Sequence, residues 1–278
     1  MKRSILRQVA MMVLMLAFAM AVCASGAVAE APAREPYGVF LSIDDTAMER
    51  LEPYQTVVID AQYFSADDIR ALHEKGHTVY TYLNVGSLED FRDYYDDWKG
   101  ICLGEYENWE EERWVDVSDV KWQEFMRVTL AKEFLDKGVD GFFVDNCDVY
   151  YEYPREEIFE GLVAILNGLM GYEKAVIING GDTFADAYYD RYGTIDDVFT
   201  GINQETVITS IDFDEETFGK QNAEDSAYFK DYVERYAALG ADIYLLEYAT
   251  DADLIAKVQS YCAEHGFTYY VSESIELE

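Results

Sequence analysis

Gly138-Val139-Asp140-Gly141-Phe142-Phe143-Val144-Asp145-Asn146 is the stretch that decides the fold. It follows Asp119 to Lys137, where Val120, Phe125, Val128, Leu130, Ala131, Phe134 and Leu135 give a helical pattern that stops at Gly138. The run Val139–Asp145 then shows no strict polar alternation. An unbroken apolar run of that length is a strand covered on both faces, as in a parallel sheet. A helix ending in glycine and feeding such a strand is one β/α unit.

The same unit recurs in both directions along the chain. Compact β-rich runs lie at Tyr37–Ile43, Thr56–Asp60, Thr78–Val85, Val139–Asp145, Lys174–Asn179, Val198–Asn203, Ala241–Glu247 and Phe267–Ser272. Ser65, with Asp68 three residues on, reads as a capped helix start, and that helix runs to Gly76. Glu156 to Met170 stops at Gly171, Asn222 to Leu239 at Gly240, and Asp251 to His265 at Gly266. Eight strands alternating with helices in about 250 residues is the size of a single (β/α)8 TIM barrel. A doubly wound open sheet is the alternative, but no G-x-G-x-x-G follows the first strand. Ser87 to Asp119 is the one long connection, and a loop of that length is usually functional. No Pro/Gly/Ser-rich linker divides the chain, so residues 30–278 read as one catalytic domain.

The first residues read as an address. Lys2, Arg3 and Arg7 precede an apolar stretch from Val9 to Val22, and Ala27-Val28-Ala29 offers an A-x-A site. That is the layout of a secretory signal peptide over residues 1–29. An uncleaved anchor, or a lipoprotein site at Cys23, are the alternatives. The protein is therefore expected to be secreted or held at the cell surface, with no membrane contact after cleavage. Its removal leaves Cys102, Cys147 and Cys262, an odd count and so not a disulfide framework. A bridge between Cys102 and Cys147 stays open at this point.

The chain of 278 residues carries 21 Lys+Arg against 55 Asp+Glu, a formal net charge of −34. Losing three bases and no acids with the signal takes this to −37. A field this negative excludes nucleic acid as a partner and favours a cationic one. Aromatics at 15%, including 23 Tyr, exclude a disordered chain.

A parallel barrel gathers every strand C-terminus on one face, where active sites sit. Each strand here closes in a carboxylate, amide or hydroxyl: Asp44 and Asp45; Asp60 and Gln62; Tyr82, Asn84 and Ser87; Asp145, Asn146 and Asp148; Asn179; Asn203, Gln204 and Glu205; Glu247 and Tyr248; Ser272 and Glu273. Asp145 stands out, because an apolar run leads straight into it and a charge beside a core is costly unless paired or used. Glu205 has the same character. His73, His77 and His265 all fall at the opposite, N-terminal face, which leaves no His for a Ser-His-Asp triad or a zinc site. Two carboxylates flanking a scissile bond is the arrangement for glycoside hydrolysis, and it needs no cofactor. Tyr94, Tyr95, Trp98, Tyr106, Trp109 and Trp114, with Tyr150, Tyr151 and Tyr153, supply faces for stacking on sugars; about half are expected to pack the loop instead. The acidic clusters at Asp93–Asp97 and Glu110–Glu112 read as solvated faces.

Several of these blocks resemble glycoside hydrolase family 114, the secreted endo-α-1,4-polygalactosaminidases and their bacterial relatives. They are Tyr82-Leu83-Asn84-Val85-Gly86-Ser87-Leu88-Glu89-Asp90-Phe91-Arg92, Trp114-Val115-Asp116-Val117, Gly141-Phe142-Phe143-Val144-Asp145-Asn146, Asn203-Gln204-Glu205-Thr206 and Leu246-Glu247-Tyr248-Ala249. The resemblance runs from about Tyr37 to the C-terminus. It implies a (β/α)8 barrel that cleaves α-1,4 linkages in galactosamine-rich polysaccharide, with the paired acids falling on Asp145 and Glu205. Asp60, Asn84, Asp116 and Tyr248 fall on positions that would line the pocket. Tyr82, Asn146, Asp148, Asn179, Asn203 and Glu247 join them as expected substrate-binding residues. A deacetylated galactosamine chain is polycationic, which suits the charge. Two other readings stay open: a non-catalytic polysaccharide-binding barrel, and a metal-dependent hydrolase using Asp60, Asp145 and Asn146.

Overall fold

The computed structural model describes residues 34–107, 109–215 and 217–278; the expected signal peptide lies outside them. Eight parallel strands form the barrel: β1 (Glu35–Phe40), β2 (Tyr54–Ile59), β3 (Thr78–Asn84), β7 (Gly141–Asp145), β8 (Ala175–Asn179), β9 (Gly201–Glu205), β12 (Asp242–Tyr248) and β13 (Thr268–Ser272), neighbours in that order. The first and last strands lie side by side and nearly close the ring. Leu277, beyond β13, accepts the Leu41 N–H at 2.9 Å and ties the two ends. Each of the eight β-rich runs of the sequence contains or overlaps one of these strands, and the fold is a single (β/α)8 barrel.

Capping and glycine set the helix limits as the sequence suggests. Ser65 and Asp68 form a reciprocal capping box ahead of Ala66–Glu74. Asp119 accepts from Lys121 and Trp122 N–H, and the helix it opens passes through a π-turn at Phe125–Leu130 before ending at Gly138, φ 106°. A positive φ is where glycine carries no Cβ penalty. The structure adds a helix at Asp182–Tyr192, after β8.

Strand alternation divides the interior into two layers. Phe142, Val144, Ile178, Ile202 and Leu245 pack outward beneath the helices. Tyr37, Val58, Tyr82, Phe143, Leu246 and Tyr248 fill the barrel itself. Counting by twos from the inward set brings Asp60, Asn84 and Asp145 to the barrel mouth on the inner side. Glu247, next to outward Leu245 by the same count, lies on the outer side.

Two insertions fold over that mouth. Within Ser87 to Asp119 lies a small antiparallel sheet of β4 (Ser87–Glu89), β6 (Glu112–Val115) and β5 (Cys102–Glu105). After β9 comes the hairpin β10 (Thr209–Asp212) and β11 (Thr217–Lys220). Trp109 and Phe213 meet edge to face, with ring centroids 6.4 Å apart. Cys102, Cys147 and Cys262 are all free, so the Cys102–Cys147 bridge left open by the sequence is not formed: Cys147 is fully buried while Cys102 sits on the small added sheet. Among the described residues, no helix is long and apolar enough to cross a membrane.

Candidate active site

The strand C-termini open onto a cavity of about 1230 Å³. Asp145 ends β7 and Glu205 ends β9, and both face it. Between them, at the end of β8, stands Asn179. Its amide nitrogen donates to Asp145 Oδ1 at 3.0 Å and to Glu205 Oε1 at 2.8 Å. Those two distances together cap the separation of the bonded oxygens at 5.8 Å. Because the two N–H bonds of one amide diverge by about 120°, the oxygens stand roughly 5 Å apart. Asn203 fixes the amide's direction, donating to Asn179 Oδ1 at 2.7 Å, and Tyr37 in turn donates to Asn203 Oδ1 at 3.2 Å.

Each carboxylate has further neutral donors. Asp145 accepts from the Tyr82 hydroxyl at 3.0 Å and from the Asn146 N–H at 3.0 Å. Glu205 accepts from the Tyr248 hydroxyl at 2.7 Å. Burial pushes Asp145 up to about 6; the Asn179 hydrogen bond opposes this and the charge of Glu205 adds to it. Burial raises Glu205 as well, against the hydrogen bonds of Asn179 and Tyr248. Two carboxyl groups this close titrate as a pair and readily hold one proton between them.

Asn146, held at φ 66°, turns the chain after Asp145. It accepts from Tyr106 at 2.9 Å and donates to Asn84 Oδ1 at 3.0 Å and Ser87 Oγ at 3.2 Å. The close turn also needs Gly86, where a Cβ would fall 1.8 Å from the Asn146 carbonyl oxygen. On another wall Arg92 binds Asp60 and is gripped by Glu89 through two bonds of 2.9 and 2.7 Å. Asp148 accepts from the Gly181 N–H, and burial pushes it up to about 7.

Of the twelve expected residues, Asp60, Tyr82, Asp145, Asn146, Asp148, Asn179, Glu205 and Tyr248 line the cavity. Asn84 and Asn203 are buried behind it, orienting Asn146 and Asn179. Asp116 is not brought to it; its carboxylate caps a turn, accepting from the Ser118 N–H and hydroxyl. Glu247 is not brought to it either. It is wholly buried on the outer side and accepts from the backbone of Ile208 at 3.0 Å and Thr209 at 2.8 Å, anchoring the start of the β10 hairpin.

Gln204, one of the polar residues that close its strand, also lines the cavity, as do Glu89, Arg92 and Glu112, which the sequence does not single out as site residues. Glu89 and Arg92 stand three residues apart within the quoted strand-three block, and that spacing was the available signal. Glu112, read as part of a solvated face, takes the Ser87 hydroxyl bond and is pushed up to about 8 by burial. Tyr106, Trp109 and Tyr151 are the expected aromatics that reach the cavity. Tyr94 and Trp98 pack on Phe125, and Tyr150 packs on Phe159. Among the described residues, no three His, Cys, Asp or Glu side chains are grouped to hold a metal ion.

Comparison with known proteins gives a consistent picture. The family described as Glycoside-hydrolase family GH114 matches residues 24–274. Among solved structures, the glycoside hydrolase domain of PelA from Pseudomonas aeruginosa is 19% identical, with a TM-score of 0.73 over 87% of this chain and 95% of that one. Aspergillus fumigatus Ega3, solved in complex with galactosamine, is 14% identical, with a TM-score of 0.67 over 88% and 92%. An α-galactosidase from Thermus thermophilus, in complex with p-nitrophenyl α-D-galactopyranoside, is 10% identical, with a TM-score of 0.57 over 85% of this chain and 57% of that one. At these identities the likeness is one of fold. Among curated proteins, none matches the chain.

Proposed function

The chain belongs to glycoside-hydrolase family GH114, and from that premise we propose that it cleaves α-1,4 linkages in galactosamine-rich polysaccharide with retention of configuration, Asp145 acting as nucleophile and Glu205 as general acid and base. The observation that carries this reading is the shared Asn179 amide, which holds the two carboxylates roughly 5 Å apart. Retaining glycosidases keep their carboxyl groups about 5–5.5 Å apart, whereas inverting ones need about 6.5–9.5 Å to admit a water. Asp145 takes the nucleophile's part because three donors favour its anion, against two on Glu205.

In the first step a carboxylate oxygen of Asp145 bonds to the anomeric carbon as the glycosidic C–O bond breaks. Glu205 gives its proton to the leaving oxygen. In the second step Glu205 takes a proton from water, the water oxygen bonds to the anomeric carbon, and the bond to Asp145 breaks. The Asn179 amide touches both groups and keeps contact while the proton changes sides.

The galactosamine substrate draws support from Ega3, solved with galactosamine, and from the acidity of the chain, while the PelA hydrolase domain supports glycoside hydrolysis. Proton NMR of a fresh digest of α-1,4-galactosamine oligomers tests the reading: α-anomeric products are expected first, and β-anomers first would overturn retention. Asp145→Asn should turn over no substrate at an unchanged melting temperature, and near-normal turnover would reject the assignment. We read residues 1–29 as an export signal; N-terminal sequencing of the exported protein is expected to begin at Glu30, and an intact Met1 would reject cleavage.

A further inference from the structure

The strand ends surround the barrel mouth in the order β1, β2, β3, β7, β8, β9, β12, β13. The insertion carrying Trp109 leaves this ring after β3, and the hairpin carrying Phe213 leaves it after β9. Those two strands stand three places apart in a ring of eight, so the Trp109–Phe213 contact spans the mouth rather than skirting its rim. The ends of β7 and β8 lie on one side of the span, and those of β12, β13, β1 and β2 on the other. The cavity is lined from both sides, by Asp148, Tyr151 and Asp182 on the first and by Asp44, Tyr63 and Ile275 on the second. It therefore continues beneath the contact from one flank to the other.

Both arms of the span are braced. In the first, Tyr106 stacks on Trp114 with ring centroids 4.3 Å apart, and its hydroxyl reaches Asn146 at 2.9 Å. The Glu112 N–H closes the turn onto the Trp109 carbonyl at 3.1 Å. In the second, Glu247 holds the backbone of Ile208 and Thr209, and Phe218 packs on Tyr248 with centroids 5.7 Å apart. At its tip Asp212 Oδ1 accepts from the N–H groups of Asp214 and Glu215, both at 3.1 Å.

The course of a bound chain follows from the position of the acids. Two carboxyl groups flank the bond they cleave, so the polymer crosses the line between them. Asp145 ends β7 and Glu205 ends β9, which sets that line along one side of the ring with β8 outside it. A chain crossing it runs from the end of β8 toward β1, and that path passes under Trp109 and Phe213.

We propose that the Trp109–Phe213 bridge holds a polysaccharide over the central carboxylates through successive cuts, so that one encounter releases several short products; the proposal rests on the glycosidase reading above. A chain beneath a closed span does not leave sideways. It leaves by sliding along its own length, and sliding presents the next linkages to Asp145 and Glu205 at high effective concentration. The edge-to-face pair favours the closed span by about two- to tenfold. Loss of either ring frees the chain after fewer cuts.

The test is a limited digest of long α-1,4-galactosamine polymer, with new reducing ends counted separately in the short products and in the residual polymer. The ratio of the first to the second should exceed that of random cutting in the wild-type protein. It should fall by about two- to tenfold in Trp109→Ala and in Phe213→Ala. Trp109→Phe keeps a ring for Phe213 to meet and should restore it. The two Ala variants lie on separate insertions, so if one fails to fold the other decides. A wild-type ratio equal to that of random cutting overturns the proposal and leaves the glycosidase reading standing. A high ratio that survives loss of either ring overturns it as well. A wild-type protein that does not cut overturns the glycosidase reading, and this proposal with it.

Discussion

One cavity wall holds carboxylates paired with a cation; another holds carboxylates paired only with neutral donors. Asp60 and Glu89 close on the Arg92 guanidinium, and all three side chains are 4% exposed. Asp145 and Glu205 are held by Asn179, Tyr82, Tyr248 and the Asn146 N–H, with no cation in the set. Burial pushes Asp60 up while the guanidinium pulls it back down, so its charge is matched where it stands. Among the described residues no cation pairs with the central two, and burial raises both. The difference separates a carboxylate that braces a wall from one whose proton is free to move. A buried ion pair holds a geometry, whereas neutral donors leave the acid titratable.

Glu205→Gln probes the difference on the central side and carries the largest expected effect. Losing a positioned acid and base should lower kcat/KM by about 10²–10⁴-fold. The sign of the accompanying pH change is definite. Glu205's charge helps hold Asp145 up near 6, so its removal should move the acid limb of the residual activity to lower pH. An acid limb that stays put, measured as kcat/KM against pH, would mean the two carboxylates do not sense each other.

Arg92→Met probes the other wall. Removing the cation strands two buried carboxylates, which typically costs about 3–5 kcal/mol. For a domain of this size the melting temperature should fall by roughly 10 °C. The acid limb of the activity profile should move far less than in Glu205→Gln, because Arg92 touches neither central acid. A variant with wild-type melting and a displaced pH profile would reverse the roles assigned to the two groups.

The barrel was legible because each strand is an apolar run bounded by glycine or a capping residue, and those signals are local. The facing of individual residues was not. Ile243-Tyr244-Leu245-Leu246-Glu247-Tyr248 is covered on both sides, so no polar alternation marks which side chain turns inward. Glu247 and Tyr248 therefore read alike in sequence, while one anchors a hairpin backbone and the other reaches Glu205. Asp116 was misleading for a different reason: a carboxylate two residues before Ser118 can cap its own turn, and here it does. Asp145 and Glu205 were legible as acids at strand ends. The Asn179 amide that joins them was not, since its role depends on the angle between neighbouring strands rather than on any spacing along the chain.

Tyr82 belongs to both walls, which makes it the finest probe of the comparison. Its hydroxyl donates to Asp145 Oδ2 at 3.0 Å, while its ring lies 5.8 Å from the Arg92 guanidinium carbon. Tyr82→Phe keeps the ring and removes the hydroxyl, so the Arg92 wall should stand and melting should change little. Asp145 loses a bond that favours its anion, so its pKa should rise from about 6 and the acid limb should move upward. The expected displacement is about half a unit to one unit, opposite in sign to that of Glu205→Gln. Because one variant removes a like charge and the other removes a donor from the same carboxylate, limbs displaced in the same direction would show that Asp145 is not the group whose ionisation limits the rate.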